Sequence, residues 1–170
     1  MQTEPLTTYL NDHLAGSVAA IELVEHLVKL TKGSSRERLF LALAQEIRQD
    51  QDTLRLLLQE MGGKESKARQ AAAWFTEKVG KVKLLLDDKG ESELHLLEAL
   101  ETLALGIQGK AALWRGLEVI ADRLPPLRSL NLPRMQQRAE DQFQQVDAER
   151  LQVARTAFDL DEAGTAAPTG

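Results

Sequence analysis

The sequence of 170 residues contains no cysteine and few aromatic residues. Without cysteine, disulfide bonds, thiolate metal sites and cysteine nucleophiles are all excluded. Aromatic residues make up only 4% of the chain although 43% of it is hydrophobic, so leucine and alanine dominate. That composition is typical of helix packing rather than of sheets. A chain of this length is expected to form one domain with a substantial core.

A membrane-spanning run and a secretory leader are also missing. The most apolar stretch, residues 94–105, is interrupted by Glu98 and Glu101 and is too short to cross a bilayer. The first five residues contain neither a basic nor an apolar region, so no signal peptide is expected. The formal net charge of −5 disfavours nonspecific nucleic-acid binding. We therefore predict a soluble cytoplasmic protein that partners neither membrane nor nucleic acid.

Apolar residues at helical spacing, punctuated by glycine and proline, predict an all-α fold. Helices are expected at about residues 6–31, 35–61, 65–86, 92–123 and 132–158, within a single domain spanning residues 1–160. Residues 161–170 are expected to form a disordered tail. Ser34 and Glu37 have the spacing of a capping box at the start of the second helix. The basic stretch 64–83 has no role that the sequence reveals.

The helix expected at 92–123 is apolar around much of its circumference, which predicts that it is the most buried. Four residues along it have little side-chain bulk and are expected to permit close approach by a neighbouring helix. They are Gly106, Gly109, Ala111 and Ala112.

Polar residues interrupt the apolar stripes of three helices and define a candidate interior site. They are His13, Ser17, Glu46, Gln49, Asp50, Gln142 and Glu149. The short connection after the first helix predicts an antiparallel pair, in which Ser17 and Asp50 lie at one level. If the last helix runs with the first, Glu46 and Glu149 come to a similar height.

Two interpretations of these polar residues remain open. One is a site for a metal ion or small polar ligand, because a buried carboxylate is costly unless it is paired, coordinated or protonated. The other is a satisfied hydrogen-bond network, in which His13 or Ser17 bonds to Asp50. In that network Arg48 or Arg150 would pair with a carboxylate.

The chain has three histidines, at positions 13, 26 and 95, and none follows a glutamate by three residues. Di-iron sites in helix bundles are built from Glu-x-x-His pairs, because that spacing puts a carboxylate and an imidazole on one face. Ferroxidase or other di-iron oxidase activity is therefore not expected. We assign no catalytic residue, no metal ligand and no cofactor.

Two motifs nevertheless resemble those of the ferritin-like superfamily. The stretch Tyr9-Leu10-Asn11-Asp12-His13-Leu14-Ala15-Gly16 is similar to the opening of an uncharacterised bacterial branch of it. Residues 106–110, followed by Leu113-Trp114, resemble a later part of that branch. The resemblance implies a four-helix bundle with a long helical crossover between its second and third helices.

The same resemblance implies a degenerate di-iron site. Glu46 matches the second-helix glutamate, but Gln49 stands where its histidine belongs. In the last helix Phe143 and Gln152 stand three residues after the two glutamates. The candidates for the single carboxylates of the first and third bundle helices are Glu22 or Glu25 and Glu98 or Glu101.

Two functions follow as expectations. The favoured one is a non-catalytic ferritin-like bundle that acts through protein association, with a homodimer as the partner the sequence leaves room for. The alternative is a binder of a metal ion or small polar ligand at an atypical carboxylate-rich site in the bundle centre.

Overall fold

The computed structural model describes residues 4–64, 73–86 and 92–158, without the side chains of residues 73–76 and 92. Within these residues the protein is all-helical, as the sequence predicts. Six α-helices follow one another, with a 3-10 turn at Ala121–Arg123 between the fourth and the fifth. They are α1 (Glu4–Leu30), α2 (Ser35–Glu60), α3 (Ala73–Leu86), α4 (Ser92–Glu118), α5 (Pro125–Arg128) and α6 (Leu132–Ala157).

Most helix ends lie within two residues of the predicted positions, and the exceptions have local causes. Helix α4 ends at Glu118, five residues before the predicted end at 123, and a 3-10 turn follows. The pair Pro125-Pro126 then opens the short helix α5, because proline is tolerated in a first turn. The predicted helical residues 65–72 and the predicted tail 161–170 lie outside the described residues.

The turn between α1 and α2 corrects the predicted capping box. Ser34 is the residue before α2, but its side chain makes no cap hydrogen bond. Its Oγ donates to the carbonyl of Thr31 instead, at 2.6 Å. Glu37 accepts from the backbone N–H of Gly33 at 2.7 Å, one residue before the position that a capping box requires. Gly33 has a φ of +83°, a conformation that glycine adopts at no steric cost.

The long helices bury two hydrophobic clusters, one at each end of the molecule. The first cluster includes Leu23 of α1, Phe40 of α2, Leu100 of α4 and Val153 of α6. The second includes members from the opposite end of each of these helices, namely Leu10, Leu57, Trp114 and Leu132. Helices α1 and α6 therefore run in one direction, and α2 and α4 run in the other.

Helix α3 packs along part of the seam between α1 and α4. It places Val79 and Val82 in the first cluster, where both are almost fully buried. It contributes no member to the second cluster among the residues described. Within the same residues, no helix is long and apolar enough to cross a membrane.

Candidate functional site

A cavity of about 380 Å³ opens between α1 and α4, and it is called the groove below. Its walls and floor come from three helices. The residues that line it are Tyr9, Asp12, His13, Gly16, Ser17 and Ala20 from α1, Ile47, Asp50, Gln51 and Leu54 from α2, and Leu105, Gly106, Ile107, Gly109, Lys110, Leu113 and Trp114 from α4. Its volume falls in the range of small-molecule sites, roughly 300–1,000 Å³.

The groove exists because glycines occupy both of its walls. A Cβ added to Gly16 or to Gly109 would have no described atom within 4 Å, other than its own helix. The prediction that small residues on α4 permit close approach by a neighbouring helix is therefore wrong at Gly109. Within the part of the chain that the structure describes, the missing side chains leave an opening there instead of a tight helix contact.

The floor of the groove ends in a network called the polar cluster, in which Asp50 and Gln142 are buried and the other members are half-buried: Glu46, Asp50, Lys110, Arg138 and Gln142. Lys110 Nζ donates to Asp50 Oδ2 at 2.6 Å and also to Gln142 Oε1. Arg138 donates to the other oxygen of Asp50. Gln142 Nε2 in turn donates to Glu46 Oε2 at 2.7 Å. The polar cluster thus joins α2, α4 and α6.

Because its central side chains are shielded from water, the polar cluster has to satisfy their charges and hydrogen bonds internally. The side chains of Asp50 and Lys110 are only 4% and 14% exposed. Gln142 is fully buried. Desolvation lowers the pKa of the Lys110 ammonium, while the charge and hydrogen bond of Asp50 oppose that shift. An ammonium in this position therefore depends on Asp50 for its charged form.

The candidate residues from the sequence are brought together only in part. Glu46, Asp50 and Gln142 meet in the polar cluster, and Gln49 lies at its edge, accepting from Arg138 at 3.4 Å. Glu149 of α6 accepts a hydrogen bond from Arg36. Glu46 of α2 accepts one from Gln142, which lies seven residues before Glu149 on α6. The expectation that Glu46 and Glu149 lie at one height is therefore wrong, by about two turns or roughly 10 Å of helix.

His13 and Ser17 lie on the groove side of α1. The level predicted for the hairpin is confirmed to within one residue, since Gln51 Nε2 donates to Ser17 Oγ at 2.8 Å. Ser17 Oγ itself donates to the carbonyl of Leu14. The ring of His13 packs edge-on against Tyr9, with 4.6 Å between ring centroids.

Both arginines of the predicted network pair with carboxylates, but with carboxylates outside the candidate site. Arg48 pairs with Glu25, and Arg150 lies against Asp147 and Glu101. Asp50 draws its partners from α4 and α6 rather than from α1. Lys110 and Arg138 were not among the site residues predicted from the sequence, although each lies one turn after an apolar residue on the inner face of its helix.

His13 should make the folded state less stable in acid. Burial lowers its pKa below the ordinary value of 6.5, and Asp12 opposes the shift. The unfolded state therefore takes up this proton first, so stability is lost as the pH falls below about 6.5. We expect His13→Gln to reduce this loss between about pH 7 and about pH 5, by at most about 1.4 kcal/mol per pH unit. Urea unfolding at the two pH values measures it, and an unchanged slope would contradict the assignment.

Two further observations bear on what the site can hold. Among the described residues, no group of three or more His, Cys, Asp or Glu side chains is arranged to hold a metal ion. Trp114, which is 1% exposed and lines the groove, has an indole N–H without an acceptor in that same part of the chain. An unpaired buried donor costs about 1–3 kcal/mol.

Comparison with known proteins assigns the chain to no family. No protein-family model matches the chain, and no characterised protein and no solved structure matches it significantly.

Proposed function

We infer that this protein is a non-catalytic, helical-bundle binding protein that holds a small molecule in the groove. One observation carries the proposal: the opening between α1 and α4 of about 380 Å³, with apolar walls and a few polar groups at its floor. Ligand sites typically combine these properties. The binding function expected as the alternative from the sequence is thus proposed at a different place, beside the polar cluster rather than among carboxylates at the bundle centre.

The groove is suited to a ligand because no side chain of the described residues packs across its opening. Gly16 and Gly109 leave both walls without bulk, and Leu105 at the rim is 46% exposed. A molecule with an apolar body would remove these surfaces from water, at roughly 25 cal/mol per Å² of apolar area.

A metal ion has less support as the ligand. The carboxylates that it would need, Asp50 and Glu46, already accept hydrogen bonds from Lys110, Arg138 and Gln142. A divalent cation would have to displace an ammonium and a guanidinium from Asp50, which would leave the mostly buried Lys110 ammonium without its carboxylate.

The ferritin-like relationship is proposed on the helix directions alone. Helix α2 ends in the second hydrophobic cluster, while α4 contributes to the first cluster from its beginning. The connection between Glu60 and Ser92, which includes α3, therefore has to return along the long helices. A single long crossover of this kind is typical of ferritin-like bundles.

The test is a titration with N-phenyl-1-naphthylamine, an uncharged apolar dye whose emission rises in apolar surroundings. A Trp74→Phe background leaves Trp114 as the single tryptophan. We expect saturable binding of one dye per chain, with quenching of Trp114 emission in parallel. Dye binding without an effect on Trp114 would place the dye elsewhere, and no saturable binding would refute the proposed function.

Protein association, the role favoured from the sequence, stays a prediction. Val18 and Leu84 are 44% and 74% exposed and line a surface depression between α1 and α3. Light scattering of the full chain measures whether a dimer forms. Val18→Glu should then return the protein to a monomer if this depression forms the contact.

A further inference from the structure

The charges at the floor of the groove are balanced, and this limits the ligand. Two carboxylates, Glu46 and Asp50, share the polar cluster with two cations, Lys110 and Arg138. Gln142 joins the Lys110 ammonium to the Glu46 carboxylate through its amide. No charge in the polar cluster is therefore left for an ionic group of a ligand to neutralise.

A charged ligand group at this floor would introduce an unmatched charge into a desolvated place. Such a charge is costly unless it is paired and hydrogen-bonded. At the rim, Asp12 is half-buried and carries a negative charge. Its access to solvent screens both its repulsion of an anion and its attraction of a cation, so Asp12 selects for neither charge.

The floor nevertheless has a donor to offer. Among the described residues, Lys110 Nζ donates to Asp50 and to Gln142, and an ammonium carries three N–H bonds. The third N–H has no acceptor among the described residues, and Lys110 lines the groove. A donor with a full charge makes a stronger hydrogen bond than a neutral one. Ser17 Oγ, beside Gln51, is a second polar group within the same lining.

We propose that the groove selects an uncharged, mostly apolar molecule with an oxygen acceptor at one end, such as a long-chain alcohol, aldehyde or ester, and that this end meets Lys110. The proposal rests on the proposed function, because it specifies the ligand of the same groove. The apolar chain lies against Ile107, Leu113 and Trp114, and the oxygen replaces the water that would otherwise solvate the ammonium.

Displacement of N-phenyl-1-naphthylamine by three ligands of one chain length tests the inference. They are 1-decanol, decanoate and decylamine, which differ only in the charge of the polar end. We expect 1-decanol to bind at least about tenfold more tightly than either charged ligand, since an unmatched buried charge costs more than 1.4 kcal/mol. Equal displacement by all three, or preference for a charged ligand, overturns this inference and leaves the proposed function standing. Absence of saturable dye binding overturns both.

Charge-changing variants give a second, independent readout. Asp50→Asn leaves the polar cluster with one net positive charge, and Lys110→Gln leaves it with one net negative charge. We expect the first variant to shift preference toward decanoate and the second to shift it toward decylamine, each by at least about tenfold. Asp52→Asn, two residues along α2 and 69% exposed, is the matched control with unchanged preference. Folded variants whose ligand preference does not move would contradict the proposal, and if Asp50→Asn fails to fold, Lys110→Gln and the unmodified chain still decide it.

Discussion

Replacing Asp50 by alanine should lower the free energy of unfolding by about 3–5 kcal/mol, the largest single effect that we expect from this structure. The carboxylate is 4% exposed and accepts hydrogen bonds from both Lys110 and Arg138. Its removal leaves the Lys110 ammonium, which is 14% exposed, facing the Arg138 guanidinium, and no anion then lies between the two cations. Since domains are stable by roughly 5–15 kcal/mol, this change would remove a large share of the total.

Urea unfolding followed by circular dichroism measures this loss, and the same helix supplies the control. Asp52 is 69% exposed and pairs with Arg55 one turn further on. An exposed pair of this kind contributes at most about 1 kcal/mol. Asp52→Ala should therefore leave the unfolding midpoint nearly unchanged. Similar midpoints for the two variants would mean that solvent, not the ion pairs, satisfies Lys110 and Arg138.

Replacing Gly109 by leucine should weaken binding of N-phenyl-1-naphthylamine by at least about tenfold, because the new side chain would occupy the groove. No described atom outside α4 lies within 4 Å of a Cβ built at Gly109, so the backbone need not move. Leucine is also the better helix former, by roughly 0.8 kcal/mol in an exposed interior position. The variant is therefore expected to stay folded while losing its ligand.

Gly116, two turns along the same helix, is the matched control for Gly109. A Cβ there likewise has no described atom outside α4 within 4 Å, but Gly116 is exposed and does not line the groove. Gly116→Leu should bind the dye as the unchanged chain does. If both leucine variants bind equally well, the dye site lies outside the groove and the proposed function fails.

The helices were predictable because their signals are local. Periodic apolar residues located α1, α2 and α6, and the short turn at Gly33 fixed the pairing of α1 with α2. The predicted level of that pair agrees with the hydrogen bond between Gln51 and Ser17 to within one residue. Neighbouring antiparallel helices leave little freedom of register, since a short connection sets it.

The partners of Asp50 were not predictable in the same way. Lys110 and Arg138 lie 60 and 88 residues further along the chain, on helices whose height relative to α2 no short turn determines. The predicted height of Glu149 was wrong for the same reason, since Glu149 pairs with Arg36 and does not lie beside Glu46. Periodicity gives the face of a helix, but the sliding of one helix along another depends on packing between distant segments.

The groove escaped prediction for a different reason. A glycine on an inner face is compatible both with a closer neighbour and with an empty space. Among the described residues the outcome at Gly109 is an opening, and the described part of α3 contributes to the first hydrophobic cluster but not to the second, which contains Trp114. The local sequence of α4 does not indicate which part of its surface α3 covers.

The buried ionic contacts also bear on which arrangements of the helices are excluded. Were α6 to slip past its neighbours by one turn, about 5.4 Å, Arg138 would lose Asp50 and the Gln142 amide would lose both of its partners. Leucine side chains tolerate such a slip far better, since one aliphatic contact can replace another. The apolar helix surfaces alone would permit several alignments of α6. The ion pairs and hydrogen bonds of the polar cluster therefore select a single native alignment.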